Sequence, residues 1–403
     1  MLGRMGKRVA ATAAFALAGS MLFVIPAHAA TKTIVIWTDA NRAGVVKTLF
    51  KKGFQGAKVV VVTKDFGSIR DTLKTVSVAN APDVIVGAHD WTGQLVANGS
   101  IVKLILPASV RKQINASALG GFSYNGGLYG MPVQTENVAL IENTSLVPTA
   151  PKNFAQLEAD AMALIKANKV SVGLDVPTGD AYHNYPLFSG LGGYIFGFDK
   201  NGKINPLRIG VANQKFLSHA GLIDRWVNEG LLSSSVTGDN AANLFTTQKA
   251  AFWITGPWNE SVIKGASFGT RIVTVPTIIS GIQVTPFAGY QGFMVTKFAA
   301  KHGVDTLAKS LVGQYLATAS AQTQLANLNN RAPANLAAAA KVTDPIIKAF
   351  GAAGKVATPM PNIPEMSAVW GALGDAWTAS VSGKTKAGDA FTSAQGKILS
   401  ALN

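Results

Sequence analysis

The chain has 403 residues, 48% of them hydrophobic and 14% charged, with 36 lysines and arginines against 21 acidic residues and no cysteine. This composition is long and apolar enough for two domains around a buried core, and it excludes a disordered chain. Without cysteine there is no disulfide, thiolate catalyst or cysteine-held metal in these residues, and lipid attachment through a cysteine is not expected. The net charge of +15 comes from lysines scattered singly, with no arginine-rich arm or basic, aromatic-interleaved sheet. Nucleic acid is therefore not an expected partner. Attraction to an anionic envelope and adaptation to acidic surroundings both remain open.

In chain order, Arg4, Lys7 and Arg8 precede the apolar run "VAATAAFALAGSMLFVIPA", and "AHA" at Ala27–Ala29 offers small residues for cleavage. Residues 1–29 read as a secretory signal peptide, so the protein is expected to be soluble outside the cytoplasmic membrane, periplasmic or at the cell envelope. Charges or glycines interrupt every later apolar segment, and none reads as a membrane span. "TIVIW" (Thr33–Trp37), "KVVVVT" (Lys58–Thr63) and "DVIVG" (Asp83–Gly87) are β-branched runs separated by the helix-like "VVKTLFKKGF" and "SIRDTLKTVSVAN". This alternation predicts βαβ units and a mostly parallel sheet. Ligands of such sheets bind at the carboxyl ends of the strands, where "WTDANR" and "AHDW" fall.

A second α/β block follows "LYGMPVQTENVALIEN", with helices expected over Phe154–Asn168 and Asn213–Asn228 and strands in "KAAFWIT" and "RIVTVPT". The C-terminal third reads as largely helical, broken mainly by "MPNIPEM", where Pro361 and Pro364 each fix φ and remove a backbone donor. No floppy linker or internal repeat is visible, and two lobes joined by extended crossing segments account for that.

Signs of catalysis are weak. "GASFG" (Gly265–Gly269) matches a nucleophile-elbow pattern but is preceded by a turn and followed by the strand-like "RIVTV", the reverse of the required order. "GLGGY" lacks the third glycine of a dinucleotide loop. His28, His89, His183, His219 and His302 contain no pair at metal-ligand spacing, so no metal and no cofactor is expected. His89 reads as a satisfied structural histidine.

Three carboxylates, Asp90, Glu136 and Asp180, sit in aromatic-flanked or strand-end loops. Two facing each other across a cleft could cleave a glycosidic bond, and the same groups could equally accept hydrogen bonds from sugar hydroxyls. The aromatics favour a binding cleft. Trp91, Tyr182, Trp258 and Trp370 fall in loops or at breaks, where ring faces can stack on pyranose C–H faces. Trp37, Trp226 and Trp253 read instead as core. No carboxylate stands in an obviously apolar, pKa-raising setting, which weighs against a secreted glycoside hydrolase.

Taken together, "IVIWTDANR", "APDVIVGAHDWTG", "GLYGMPVQTEN", "AAFWITGPW", "PFAGYQGF" and above all "MPNIPEMSAVW" resemble, in register, the maltose/maltodextrin-binding proteins, the extracellular receptors of ATP-driven carbohydrate importers. The resemblance implies an α/β, two-lobed periplasmic-binding-protein-like fold, each lobe a sheet flanked by helices. One lobe would comprise residues 30–135 and 292–338 and the other 139–287 and 345–403, hinged near 135–138, 288–292 and 338–345. It implies a monomer that closes on an oligosaccharide and docks on membrane permease subunits. Carried over by position, Trp258 and Trp370 are stacking platforms with Tyr182 a third, while Asp90, Glu136 and Asp180 accept sugar hydroxyls. Asn41 and Arg42 stand where better-known members have aspartate and lysine. Gly87 replaces a tryptophan, Trp91 an arginine, Gly374 an arginine and His183 a phenylalanine, so the ligand side built from the first lobe is re-shaped. The expected ligand is maltose, maltodextrin or cyclodextrin. A receptor for a xylo- or galacto-oligosaccharide is the alternative within the class, and a basic surface adhesin a weaker one outside it. In this reading the prolines stiffen the entry to a helix that carries Trp370 to the cleft, with Met360 and Met366 packed behind.

Overall fold

The computed structural model describes residues 31–402, so the signal peptide expected over residues 1–29 lies outside the described residues. Three of the β-branched runs form strands Thr33–Thr38, Lys58–Thr63 and Val84–Ala88, with the first pairing in parallel to both others. Phe287–Val295 then adds antiparallel beside Val84–Ala88, and Met131–Asn137 adds antiparallel beside that strand. Short strands Ala332–Pro333 and Thr358–Pro359 complete a seven-stranded sheet.

The sheet is therefore mixed rather than mostly parallel. Its parallel half comes from the expected βαβ units. The antiparallel half arises because Phe287–Val295 enters from a distant part of the chain without a crossover helix. A second, four-stranded sheet orders Thr270–Val273, Ala139–Asn143, Ala250–Thr255 and Val172–Asp175. Only Val138 separates the end of Met131–Asn137 in the first sheet from the start of Ala139–Asn143 in the second.

Several helices are shorter than the periodicity suggests. Asp39 caps Ala40–Leu49, which ends before Gly53 takes a left-handed turn at φ 76°. The helix after Asp65 stops at Thr72, and a single 3-10 turn at Val78–Asn80 replaces its expected continuation. The stretch expected as one helix over Asn213–Asn228 divides into Gln214–Leu217 and Gly221–Glu229. Amides at His219, Leu222 and Ile223 bond three residues back, which tightens the chain at the join. Phe154–Lys166 matches its expected position, and Asn153 supplies its cap through Gln156 N.

Trp37, Trp226 and Trp253 are buried as expected, and so is Trp377. A separate small core joins Ile141, Trp253 and Phe245 of the second block to Phe350 of helix Pro345–Ala353. Ser267 of "GASFG" sits in the turn between helix Glu260–Lys264 and strand Thr270–Val273, an arrangement unlike a nucleophile elbow.

The proline segment is fastened to the first sheet's surroundings. Asn362 Nδ2 donates to the carbonyls of Gly121 (2.8 Å) and Ser123 (2.7 Å), and Gly93 N donates to Asn362 O (3.0 Å). A Cβ at Gly93 would overlap the backbone of Asn362 and Ile363. Gly93→Ala should therefore destabilise the fold by about 1–3 kcal/mol. Gly396 lies inside the exposed face of helix Ala387–Leu402 with open space around it, so Gly396→Ala should stabilise by about 0.5–1 kcal/mol. Guanidinium unfolding of both variants checks this pair, and a Gly93→Ala variant as stable as the native chain would contradict the close approach at Gly93.

Candidate functional site

Loops at the carboxyl ends of the first-sheet strands supply one wall. Asp39 uses Oδ1 to accept from Asn41 N (2.9 Å) and Oδ2 to accept from Arg42 Nη1 (2.7 Å). That clamp holds the Arg42 guanidinium with Nη2 3.6 Å from Glu136 Oε2. Arg331 reaches the same oxygen from the opposite end of the sheet, its Nε 3.4 Å away, and Glu136 Oε1 accepts from Gln291 Nε2 (2.8 Å). Arg42, Glu136 and Arg331 are 7%, 8% and 3% exposed, so losing Glu136 would take away the buried carboxylate that both guanidinium groups face. Burial first, then the neighbouring Arg42 charge, lowers Arg331 to about 10, leaving it protonated at neutral pH.

Beyond strand Val84–Ala88, a 3-10 turn carries His89, Asp90 and Trp91. Tyr290 N donates to His89 Nδ1 (3.1 Å), so Nε2 holds the proton and donates to Met360 O (3.1 Å). Burial holds His89 down at about 4, and it is the structural histidine expected. Asp90 Oδ2 accepts from Trp370 Nε1 (3.0 Å). Burial nevertheless raises the Asp90 carboxyl to about 6, against the opposing pull of that bond and of Arg70. The sequence offered no carboxylate in a pKa-raising setting, and the fold places Asp90 in one by burying it at the end of strand Val84–Ala88.

Trp91 is 5% exposed, its ring 4.7 Å from that of Phe66. It belongs to the packed wall rather than to an open stacking face. A Cβ at Gly87 would overlap the Trp91 indole. The two substitutions noted at 87 and 91 are thus one arrangement, in which the indole fills the space that a side chain at 87 would take. The Arg42 guanidinium lies 5.4 Å over the Phe66 ring, in cation–π range.

The facing wall comes from the second block. Asp180 Oδ1 accepts from Tyr182 N (2.9 Å) and His183 N (3.0 Å), and Oδ2 meets His183 Nδ1 at 2.7 Å. Burial alone would raise Asp180, but the His183 charge and these hydrogen bonds outweigh it and hold the carboxyl below its usual value. Asp180 therefore organises its own loop as well as facing the cavity. Gly256 lacks a Cβ where the Trp258 ring folds back over the backbone, and the Tyr182 and Trp258 rings lie 6.1 Å apart.

Phe287, 1% exposed, carries this aromatic surface from beneath. Tyr185 stacks on it at 3.5 Å, Tyr182 at 6.1 Å, and Trp370 meets it edge-on at 5.9 Å. Phe287 also pairs with Thr358, just before the proline segment. That segment then runs through the 3-10 turn Pro364–Ala368 into helix Val369–Val381, whose second residue is Trp370. Met366 packs in the core as expected. Met360 is likewise buried in the core and also borders the cavity, its carbonyl accepting from His89.

The result is one cavity of about 660 Å³ lined by all nine residues singled out in the sequence, from Asn41 and Arg42 to Trp258 and Trp370. Its size and mixed aromatic and polar lining suit a small-molecule ligand. Gln291, Arg331, Lys64 and Arg70 also line it and were not anticipated. The only sequence signal for Gln291 was its place in "PFAGYQGF", and Arg331 follows two asparagines in a loop with no motif. Gly374 lets helix Val369–Val381 approach the Gly179 carbonyl, which a Cβ would crowd. Among the described residues, no group of three or more His, Asp or Glu side chains could hold a metal ion. Replacing Trp370 by Phe keeps the ring but deletes the donor to Asp90, so the Asp90 carboxyl should titrate measurably above 6. Carbon-13 NMR of labelled aspartate would read this, and an unchanged titration would show the indole bond to be absent in solution.

Comparison with known proteins places these features in a family. The family model described as bacterial extracellular solute-binding protein matches residues 46–354. The maltodextrin-binding protein MdxE of Bacillus subtilis is 30% identical over 86% of this chain and 84% of its own length. A galactooligosaccharide-binding protein of the same organism is 28% identical over 84% of this chain and 82% of its own. A maltooligosaccharide ABC transporter solute-binding lipoprotein of Streptococcus pneumoniae is 28% identical over 90% and 88% respectively. Among the described residues no helix is long and apolar enough to cross a membrane. On the extent of the family match and the full-length similarity to these relatives, the chain belongs to the bacterial extracellular solute-binding proteins, and its two-sheet α/β architecture is the two-lobed fold of that family.

Proposed function

We propose that this protein captures α-glucan oligosaccharides of the maltodextrin type outside the cytoplasmic membrane and delivers them to an ABC importer. The observation that carries this reading is the pairing of aromatic faces with buried acceptors. Tyr182 and Trp370 stand on Phe287 and Trp258 beside Tyr182, and Asp90 and Glu136 line the same cavity. Stacking on the apolar faces of glucose rings and hydrogen bonding to their rims is the recognition such a set supports. Relatives named for maltodextrin and maltooligosaccharide binding support the sugar class. The relative named for galactooligosaccharide binding sets the alternative within it.

In this reading, residues 30–135 with 292–338 and residues 139–287 with 345–403 act as two lobes that close about 135–138, 288–292 and 338–345. Binding energy then favours a closed state that a membrane permease recognises. The receptor acts as a monomer and performs no chemistry on its ligand. Asp90, Glu136 and Asp180 serve as hydroxyl acceptors. A hydrolase reading keeps one foothold in the raised Asp90 carboxyl.

Trp370→Ala and Trp258→Ala should each weaken maltotriose binding about tenfold or more by calorimetry, with the thermal midpoint little changed. Unaltered affinity would remove the residue from the site. Overnight incubation with maltotriose followed by chromatography should return the sugar intact, and any shorter product would favour the hydrolase.

Sugar hydroxyls donate to a carboxylate, so binding favours ionised Asp90. With that group at about 6, affinity should be full above pH 7 and fall by as much as about tenfold by pH 5. Asp90→Asn should flatten this dependence, and a native profile that is level from pH 7 to 5 would contradict the role given to Asp90.

A further inference from the structure

Strands Phe196–Phe198 and Ile204–Ile209 form a hairpin paired with neither large sheet. Its root is fixed, since Ile195 and Phe196 are buried. Its outer part is not covered: Phe198 is 58% exposed and Leu207 68%, and Tyr194, just before the hairpin, is 39% exposed. These are three of the seven large hydrophobic residues exposed among the described residues. Single exposed apolar side chains need no explanation, but two on one small hairpin with a third beside its root do.

The local geometry holds them outward. A register shift between Asn205 and Ile209 bulges the second strand around Pro206. Asn205 Oδ1 accepts from Leu207 N (3.0 Å), which fixes the bulge that presents Leu207. Arg208 Nη1 donates to Phe198 O (2.8 Å) across the hairpin.

The charge carried by the hairpin and its flanking chain is predominantly positive. Between residues 181 and 223 the only acidic residue is Asp199, against Lys200, Lys203, Arg208 and Lys215. Asp199 Oδ1 is turned into the hairpin loop, where it accepts from Asn201 N (2.8 Å) and Lys203 N (2.9 Å). Lys200, Lys203 and Arg208 are all exposed. A short apolar tip ringed by cations, on a chain of net charge +15, complements an anionic bilayer surface. The cations meet the lipid phosphates, and the apolar side chains enter the boundary between headgroups and acyl chains.

We propose that the Phe196–Ile209 hairpin is a reversible docking surface for an anionic lipid bilayer, holding the protein near the membrane without using the ligand cavity.

The test is sedimentation of the chain from residue 30 onward with vesicles of mixed phosphatidylglycerol and phosphatidylcholine, or of phosphatidylcholine alone. Binding should be roughly tenfold or more tighter to the anionic vesicles and should weaken as salt rises. The double variant Phe198→Ser, Leu207→Ser leaves the charge unchanged and should lose about tenfold of that binding while keeping its thermal midpoint. Because the chain holds no cysteine, an environment-sensitive dye on Asn201→Cys reports on the hairpin alone and should shift to the blue with anionic vesicles. No binding of the native chain, equal binding of the double variant, or an unshifted dye would each overturn the proposal. Equal binding would assign any attraction to the chain's overall charge.

Discussion

One extended run, Met131–Asn143, contributes a strand to each sheet with only Val138 between them. Everything at the cavity is arranged around that crossing. Because the run is committed to both sheets, the side chain one residue before its first strand ends must lie at their junction. That residue is Glu136. A carboxylate so placed is cut off from bulk water, and the protein compensates it with Arg42 from the first turn of helix Ala40–Leu49 and Arg331 from the far edge of the sheet. Buried pairs of this kind add little net stability, but an unpaired member is very costly. The cluster therefore fixes where those distant loops must sit rather than adding to the strength of the fold.

The aromatic side of the cavity follows a similar logic with a different force. Phe287 opens the strand that returns beside Met131–Asn137, and its ring supports Tyr182, Tyr185 and Trp370. The proline segment reaches that ring through the Phe287–Thr358 pairing and is held on its other side by Asn362 and by His89. Prolines reduce the conformational freedom that must be lost to hold Trp370 in one place. A pre-positioned ring spends less of its binding energy on ordering.

Much of this was legible in the sequence. Thr33–Thr38, Lys58–Thr63 and Val84–Ala88 were readable because β-branched runs and intervening helices carry their own periodicity. The carboxylates and aromatics of the cavity stood out because they sit at strand ends or beside glycine and proline, where side chains can leave the core, whereas Asn41 and Arg42 were singled out by the family resemblance. What escaped is what only long-range pairing creates. The antiparallel insertion of Phe287–Val295 leaves no local mark. Arg331 joins the site from a loop nearly two hundred residues beyond Glu136. The Asp90 carboxyl is raised by burial, and the bond that opposes the rise comes from Trp370, 280 residues away in sequence. Trp91 lines the cavity as a packed wall residue, 5% exposed, which its sequence neighbours do not reveal. Its neighbour in space, Gly87, offers no side chain, and the indole lies down into that gap.

The measurement that bears most directly on recognition of α-glucans is a calorimetric titration of the chain from residue 30 onward with maltotriose, run beside a galacto-oligosaccharide of three rings. Saturable binding of maltotriose, tighter than that of the galacto-oligosaccharide, is the expected result. Tighter binding of the galacto-oligosaccharide, or no heat with maltotriose, would contradict the assignment of this aromatic cavity to α-linked glucose.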